Sequence, residues 1–125
     1  MNKTLLIVAA ILVAAGAFFF FSQNKTSQVT PTKEEASEPT ITLTSAGFSP
    51  DNVTIKAGQK ITWINKSGTE ATVNSDPHPS HTNFQPLNLG SFADGASLSL
   101  TFDQTGTYGY HNHLNPNARG TITVQ

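Results

Sequence analysis

The four histidines of this chain fall into two short clusters, and they are the side chains best suited to chemistry. His78 and His81 stand three residues apart in the segment DPHPSHT, and His111 and His113 stand two apart near the C-terminus. In extended backbone, residues i and i+2 project to the same side, so we expect the rings of the second pair to point at one place. Imidazole suits copper, zinc and nickel. The pattern therefore predicts a metal site.

Composition removes most other kinds of chemistry. The chain has no cysteine, which excludes thiolate ligands, thiol catalysis, disulfides and an N-terminal lipid on cysteine. A net charge of −1 gives no indication of nucleic-acid binding or of a basic membrane patch. We find no nucleophile–base pair, no carboxylate pair and no phosphate-binding loop in the sequence. Only 12% of residues are charged, and the abundance of Gly, Pro, Thr, Ser and Asn indicates a turn-rich β-domain.

The N-terminal segment is apolar. Leu5 to Phe21 is a run of 17 residues without a polar side chain, preceded by Lys3. As a helix it would reach about 25 Å, the short end of what crosses a bilayer. Residues 1–21 are therefore an uncleaved signal-anchor or a signal peptide cleaved near Ala15–Ala17. We favour the anchor, because cleavage there would leave Phe18–Phe21 on a free polar tail. Either way the rest of the chain is expected outside the cytoplasm, in the periplasm or at the cell surface, and the anchor would hold it to the cytoplasmic membrane.

The remaining chain divides into a linker and a β-domain. Residues 22–39 are polar and contain two prolines, so they are expected to be a flexible, disordered linker. Residues 40–125 break into about seven short strand-like runs separated by turn signals. These runs are Ile41–Thr44, Asn52–Lys56, Lys60–Asn65, Ala71–Asn74, Ser97–Phe102, Thr107–His111 and Thr121–Val124. A long loop covers residues 75–95, and the pattern predicts an all-β, Greek-key β-sandwich.

The closing segment GTYGYHNHLNPNARGTITV resembles the end of cupredoxins, the small blue-copper β-sandwich proteins. Their pattern is G-x-Y-x-Y-x-C-x-x-H-P-x-M-x-G-x-x-x-V. The scaffold positions that match are Gly106, Tyr108, Tyr110, Pro116, Gly120 and Val124. The stretch GFSPDNVTIKAGQKITWINKSG is also similar to the N-terminal half of bacterial cupredoxins. The resemblance implies a cupredoxin-like fold over residues 40–125, with electron transfer or copper handling outside the cytoplasmic membrane.

The metal positions of that pattern are not retained. Asn112 stands at the cysteine, Asn115 at the second histidine, Ala118 at the methionine, and Ala71 at the first histidine. In cupredoxins the two loops that carry the histidines here meet at one end of the sandwich, so we expect a relocated site. Its predicted ligands are His78, His81, His111 and His113. Copper is the expected metal and zinc the alternative, since Cu(II) binds nitrogen ligands most tightly among divalent ions. Binding by three histidines with water or Asn stays open.

Several side chains are expected to support the site. The second nitrogen of each ring should donate to an acceptor, for which Asp76, Asn112 and Asn115 are candidates. Apolar residues of the long loop either pin that loop or form an apron on which a partner docks. They are Phe84, Pro86, Leu87 and Leu89.

The predicted function is that of a membrane-tethered, extracytoplasmic copper-binding protein in copper handling or electron transfer. Its site would be thiolate-free and would behave like ordinary type-2 copper. A redox protein or a copper donor would be its partner, and no nucleic acid is expected. Two alternatives remain: a small type-2 copper redox enzyme, for example one that dismutes superoxide, and a metal-free binding module that uses loop 75–95.

Overall fold

The structure is a computed structural model that describes residues 37–125. The predicted anchor or signal peptide, residues 1–21, and most of the predicted linker, residues 22–39, lie outside the described residues. Within residues 37–125, no helix is both long enough and apolar enough to cross a membrane.

Between residues 37 and 125, nine strands form two sheets, which confirms the predicted all-β sandwich. The strands are β1 (Thr40–Thr44), β2 (Gly47–Ser49), β3 (Asn52–Ile55), β4 (Gln59–Asn65), β5 (Ala71–Ser75), β6 (Gly90–Phe92), β7 (Ser97–Phe102), β8 (Gly106–Asn112) and β9 (Asn115–Val124). One sheet has the order β2-β1-β4-β7 and the other β3-β9-β8-β5-β6. The pairs β1–β4 and β3–β9 are parallel, and the remaining pairs are antiparallel. A single 3-10 turn, Gln85–Leu87, interrupts the connection from β5 to β6 in the described part of the chain.

The core lies between the sheets and is built by alternation along the strands. From Ile61 onward every second residue of β4 is buried, and Trp63 is fully so. Tyr110 of β8 is fully buried and meets Trp63 edge-on, with the ring centroids 5.6 Å apart, and Phe48 at 4.9 Å. Its hydroxyl lies directly against Gly120, where a Cβ would overlap it. A side chain on Gly120 would therefore push two core elements apart.

Three features differ from the sequence prediction, which expected about seven strands. The short strands β2 and β6 lie where a turn and the long loop were expected, and each has only three residues. The last strand begins at Asn115 rather than Thr121, because its inward positions hold the small residues Ala118 and Gly120 and give little hydrophobic signal. The connection between the last two strands, predicted to extend from His111 to Thr121, consequently consists of only two residues.

Apolar residues of the β5–β6 connection hold that segment to the sandwich. Leu87 is fully buried, and Phe84 packs against Tyr108 with ring centroids 4.5 Å apart. The sequence left two roles open for these side chains. In the structure, Phe84 and Leu87 pin the loop to the sandwich.

Candidate metal centre

Strand β8 directs one histidine away from the core. Tyr110 enters the core, and successive strand residues point to opposite faces, so His111 projects from the face of the five-stranded sheet that is turned away from the core. We call this the outer face. His111 is nevertheless fully buried there, since the segment that follows β5, residues 76–83, folds over it.

Backbone and amide hydrogen bonds fix the path of this covering segment. The His81 N–H donates to the Pro77 carbonyl at 2.8 Å, and the Asn83 N–H donates to the Asp76 carbonyl at 2.9 Å. The Asn88 amide donates to the His81 carbonyl at 2.9 Å. These bonds hold His81 at a φ of 54°, a left-handed conformation that residues other than glycine seldom adopt. These contacts place His78 and His81 above β8.

The structure brings all four predicted histidines together. Their ring centroids are separated by 4.8 Å (His78–His113), 4.8 Å (His81–His113), 5.0 Å (His81–His111), 5.3 Å (His78–His111) and 6.2 Å (His78–His81). Donor atoms of His78, His111 and His113 lie within 4.8 Å of one another. We call these four residues the histidine cluster.

The close approach of the rings favours their neutral form. Loss of hydration, and then the positive charge that neighbouring imidazoles would carry, lower the pKa of His78 and of His81. Asp76 opposes the shift at His81 but is the smallest contribution. Neutral imidazole is the form that binds metals, so the lowered pKa favours the metal-binding form of His78 and His81.

His111 has one nitrogen in use and one free. Its Nδ1 bonds the Asp76 carboxylate at 2.8 Å. Its Nε2 is buried and has no hydrogen-bond partner among the described residues. Leaving a buried polar group unsatisfied costs about 1–3 kcal/mol, which makes this nitrogen the one available to a ligand.

A second pair of nitrogens lies at a hydrogen-bond distance that is also compatible with two ligands of one metal ion. His113 Nδ1 and His81 Nε2 are 3.0 Å apart. Two nitrogens bound at about 2.0–2.1 Å to one ion, and at right angles, lie about 2.9 Å from each other. An all-imidazole donor set with this spacing suits copper or zinc, so the residues present fit a transition metal.

Three of the four former ligand positions of the cupredoxin pattern hold buried groups that are satisfied or apolar, and the fourth, Asn115, is exposed. Asn112 is 6% exposed, and its side-chain oxygen accepts from the N–H groups of Thr72 at 3.0 Å and Leu114 at 3.1 Å. Ala71 and Ala118 are buried methyl groups. Of the three acceptors expected from the sequence, Asp76 reaches a histidine ring, whereas Asn112 ties β5 to the closing turn.

A β-bulge modifies the expected alternation of the second histidine pair. The register between β8 and β9 shifts between His111 and Asn112. His113 therefore reaches the cluster from the turn rather than from extended strand. Its backbone N–H donates to the Thr72 hydroxyl at 2.8 Å, which fixes its position.

Two residues contact the Asp76 carboxylate and fix its position, and the sequence reasoning missed both of them. Gly109 leaves the outer face bare, and an added Cβ there would overlap Asp76 Oδ2. Arg119 pairs with His111 in the β8–β9 register, and its guanidinium lies 3.4 Å from Asp76 Oδ1. Their only sequence signal is the hairpin register, which places both residues beside His111.

Comparison with known proteins agrees with this architecture. The family model of the cupredoxin-like domain matches residues 9–124. A plastocyanin of Scenedesmus fuscus is 42% identical over 84 residues, which is 62% of this chain and 86% of that protein. A chloroplastic plastocyanin of Tetradesmus obliquus is 34% identical over 84 residues, and the match spans 62% of this chain and 58% of that protein.

Solved structures show the same fold at low identity. A purple cupredoxin from Nitrosopumilus maritimus superposes with a TM-score of 0.62 at 22% identity, over 70% of this chain and 99% of that one. Amicyanin from Paracoccus versutus gives 0.60 at 22% identity, over 72% and 83% of the two chains. An amicyanin mutant with Cu(I) gives 0.56 at 24% identity, over 70% and 81%.

Proposed function

Because the chain belongs to the cupredoxin-like domain family, we propose that it binds one copper ion through the histidine cluster and serves in copper handling or electron transfer. The observation that carries the proposal is the buried Nε2 of His111, which lacks a hydrogen-bond partner in the described residues and belongs to a ring packed against other imidazoles. A bound ion would satisfy that nitrogen.

The chemistry of the site would differ from that of blue copper. Bound copper would supply one-electron chemistry between Cu(II) and Cu(I). Imidazole ligands without a thiolate favour Cu(II) more than soft ligands do, so we expect a lower reduction potential than in a blue protein and no intense visible band. Because the chain has no cysteine, no thiolate is available.

The division of burial within the cluster favours exchange of copper with a partner. His111 is fully buried and would anchor the ion, whereas His78 is exposed and His81 is half-buried. Exposed histidines can release the ion one bond at a time while a partner protein takes up or delivers copper. We therefore favour copper handling over fast electron transfer.

The proposed place of action is outside the cytoplasm, with residues 1–21 as the membrane anchor. The support is the run Leu5 to Phe21 and the polar segment that follows it. Protease added to intact cells should remove the domain from the cell surface, or from spheroplasts if it is periplasmic, and should leave a membrane-bound fragment. Protection of the domain in both preparations would overturn this location.

A copper titration tests the site itself. The full chain, purified in detergent micelles, is titrated with Cu(II) and followed by optical and electron paramagnetic resonance spectra. We expect one tight equivalent with nitrogen hyperfine structure and weak visible absorption. His78→Ala and His111→Ala should each weaken binding, and the second should weaken it more.

The matched control is Thr82→Ala, an exposed residue of the same covering segment that contributes no imidazole. Its titration should superimpose on that of the parent. Absence of a stoichiometric equivalent in the parent, or equal affinity in the parent and His111→Ala, would sink the proposed copper site.

A further inference from the structure

The outer face carries a second, non-ligating arrangement next to the histidine cluster. Asp76 sits between three residues of the β8–β9 hairpin: Gly109, His111 and Arg119. We propose that Asp76 is the positioning residue of the metal centre: its carboxylate, seated on Gly109 and contacted by Arg119, keeps the His111 proton on Nδ1 and so presents Nε2 to the ion. This inference rests on the proposed function and deepens it.

The backbone of Asp76 is held on both sides. Its N–H donates to the Gly109 carbonyl at 3.0 Å, and its carbonyl accepts from the Asn83 N–H at 2.9 Å. These bonds fix the backbone from which the carboxylate reaches His111. Its side chain is only 26% exposed, so water competes weakly for its oxygens.

The hydrogen-bond inventory decides which ring nitrogen carries the proton. A carboxylate is acceptor-only when ionised, so the Nδ1 at 2.8 Å from Oδ1 must donate. In neutral imidazole the other nitrogen then holds a lone pair, and here that nitrogen is the buried Nε2 without a partner in the described chain. Without the carboxylate, nothing nearby would prevent the opposite tautomer, whose Nε2–H cannot bind a metal.

Asp76 is better placed to orient a ligand than to be one. Oδ1 is occupied by His111 and is also 3.4 Å from the Arg119 guanidinium. Oδ2 lies over Gly109, at a point where a Cβ would collide with it. Both oxygens are thus directed at the hairpin. The group of possible ligand atoms within 4.8 Å of one another is formed by His78, His111 and His113 and includes neither Asp76 nor His81.

Gly109 contributes to this arrangement because it has no side chain and leaves room for the Asp76 carboxylate. Any larger residue would displace the carboxylate from above β8 while leaving every polar group of the site in the sequence. Gly109→Ala therefore moves Asp76 without removing it. This gives an independent way to break the contact.

The test measures the tautomer and the copper affinity separately. Long-range ¹H–¹⁵N spectra of the metal-free full chain, labelled at histidine, report which nitrogen of His111 is protonated. We expect Nδ1–H in the parent, loss of that preference in Asp76→Ala, and a partial return in Asp76→Asn, which keeps an acceptor oxygen. Copper affinity should fall about 10–100-fold in Asp76→Ala, less in Asp76→Asn, and in the same direction in Gly109→Ala.

Asp51→Ala is the matched control. Asp51 lines the same shallow cavity as Asp76 and Arg119, of about 230 Å³, but within residues 37–125 its side chain bonds only the neighbouring Asn52 amide. The Asp51→Ala substitution removes the same charge without contacting a histidine. The His111 tautomer and the copper affinity of this variant should therefore equal those of the parent. Near-ultraviolet circular dichroism of the buried Trp63 confirms that each variant is folded.

Two results would overturn the inference: an Nε2–H tautomer in the metal-free parent, or equal copper affinity in Asp76→Ala and Asp51→Ala. If the parent binds no copper, the proposed function fails, while the tautomer spectra of the parent and Asp76→Ala still decide whether Asp76 orients His111.

Discussion

The inner and outer faces of the five-stranded sheet carry residues of opposite character at the end near His111. On the inner side, Asn112 has its side-chain oxygen fully used by backbone donors, and Ala71 and Ala118 fill the space with methyl groups. On the outer side, His111 is equally buried but keeps one nitrogen without a partner in the described residues. Satisfied polar groups stabilise a fold, whereas a buried donor atom left open among other donors indicates a ligand site.

The largest effect is expected on the inner face. Asn112→Ala would leave the N–H groups of Thr72 and Leu114 without their acceptor, at about 1–3 kcal/mol for each group. We expect the free energy of unfolding of the metal-free protein to fall by several kcal/mol, measured by urea denaturation. A fall of less than about 1 kcal/mol would show that Asn112 is not the structural group described above.

Asn112→Cys tests whether the inner position can still form a metal site. A thiol placed at the cysteine position of the cupredoxin pattern has no partner ligands beside it, because Ala71, Asn115 and Ala118 replace them. We therefore expect no intense visible band on addition of Cu(II). A strong blue or purple absorption would mean that the inner position still forms a metal site.

Copper itself should act on the outer face. A ligand that binds only the folded state at 100 times its dissociation constant adds about 2.7 kcal/mol to the free energy of unfolding. We expect a gain of this order in the parent, measured by thermal or urea unfolding with and without Cu(II). His111→Ala should lose most of the gain, and an equal gain in both proteins would place the copper elsewhere.

Substitutions at two glycines, one on each face, should have smaller effects that also distinguish the two faces. Gly120 leaves room for the Tyr110 hydroxyl in the core, and Gly109 leaves room for Asp76 on the outer face. Gly120→Ala should lower the free energy of unfolding by about 1–3 kcal/mol through overpacking of a rigid ring. Gly109→Ala should show mainly as a loss of copper affinity, since the displaced carboxylate can move toward solvent. The reverse assignment of effects, seen by urea unfolding and copper titration, would contradict the division between the faces.

The sequence predicted the elements whose apolar residues alternate. The strand Ser97–Phe102 was predicted with its observed bounds, because Leu98, Leu100 and Phe102 repeat every second residue. The three-residue strands β2 and β6 depend on their partners and carry no such signal. That the four histidines come together was predicted from two loops of a recognised pattern, whereas the metal and its ligands stay predictions.

The supporting residues could not be predicted locally. Asp76 reaches His111 across 35 positions of sequence, and Arg119 reaches Asp76 across 43. Both contacts depend on the register of β8 with β9 and on the path of the covering segment. A loop that folds back over a sheet leaves no periodic signature, so only the three-dimensional structure identifies the seat of the carboxylate.

The smallest effect concerns a second unpartnered group, this time on the inner face. The Tyr110 hydroxyl, like the neighbouring Trp63 Nε1, is buried without a hydrogen-bond partner among residues 37–125, and burial raises the pKa of this hydroxyl well above its usual value. It has no donor cluster around it, so it should have no role in metal binding. Tyr110→Phe is expected to leave copper affinity unchanged and to keep or raise the free energy of unfolding by up to about 1 kcal/mol at neutral pH.

Tyr110→Phe should also change how the free energy of unfolding depends on pH in the alkaline range. In the unfolded chain tyrosine ionises near about pH 10, whereas in the folded chain Tyr110 resists ionisation. Its contribution to stability is therefore complete below that pH and is lost as the pH rises above it. Urea unfolding from pH 8 to 11 should show a steeper loss in the parent than in Tyr110→Phe. A parallel loss in the two proteins, or a copper affinity that changes with the hydroxyl, would remove the distinction between an unpartnered group that only fills the core and one that awaits a ligand.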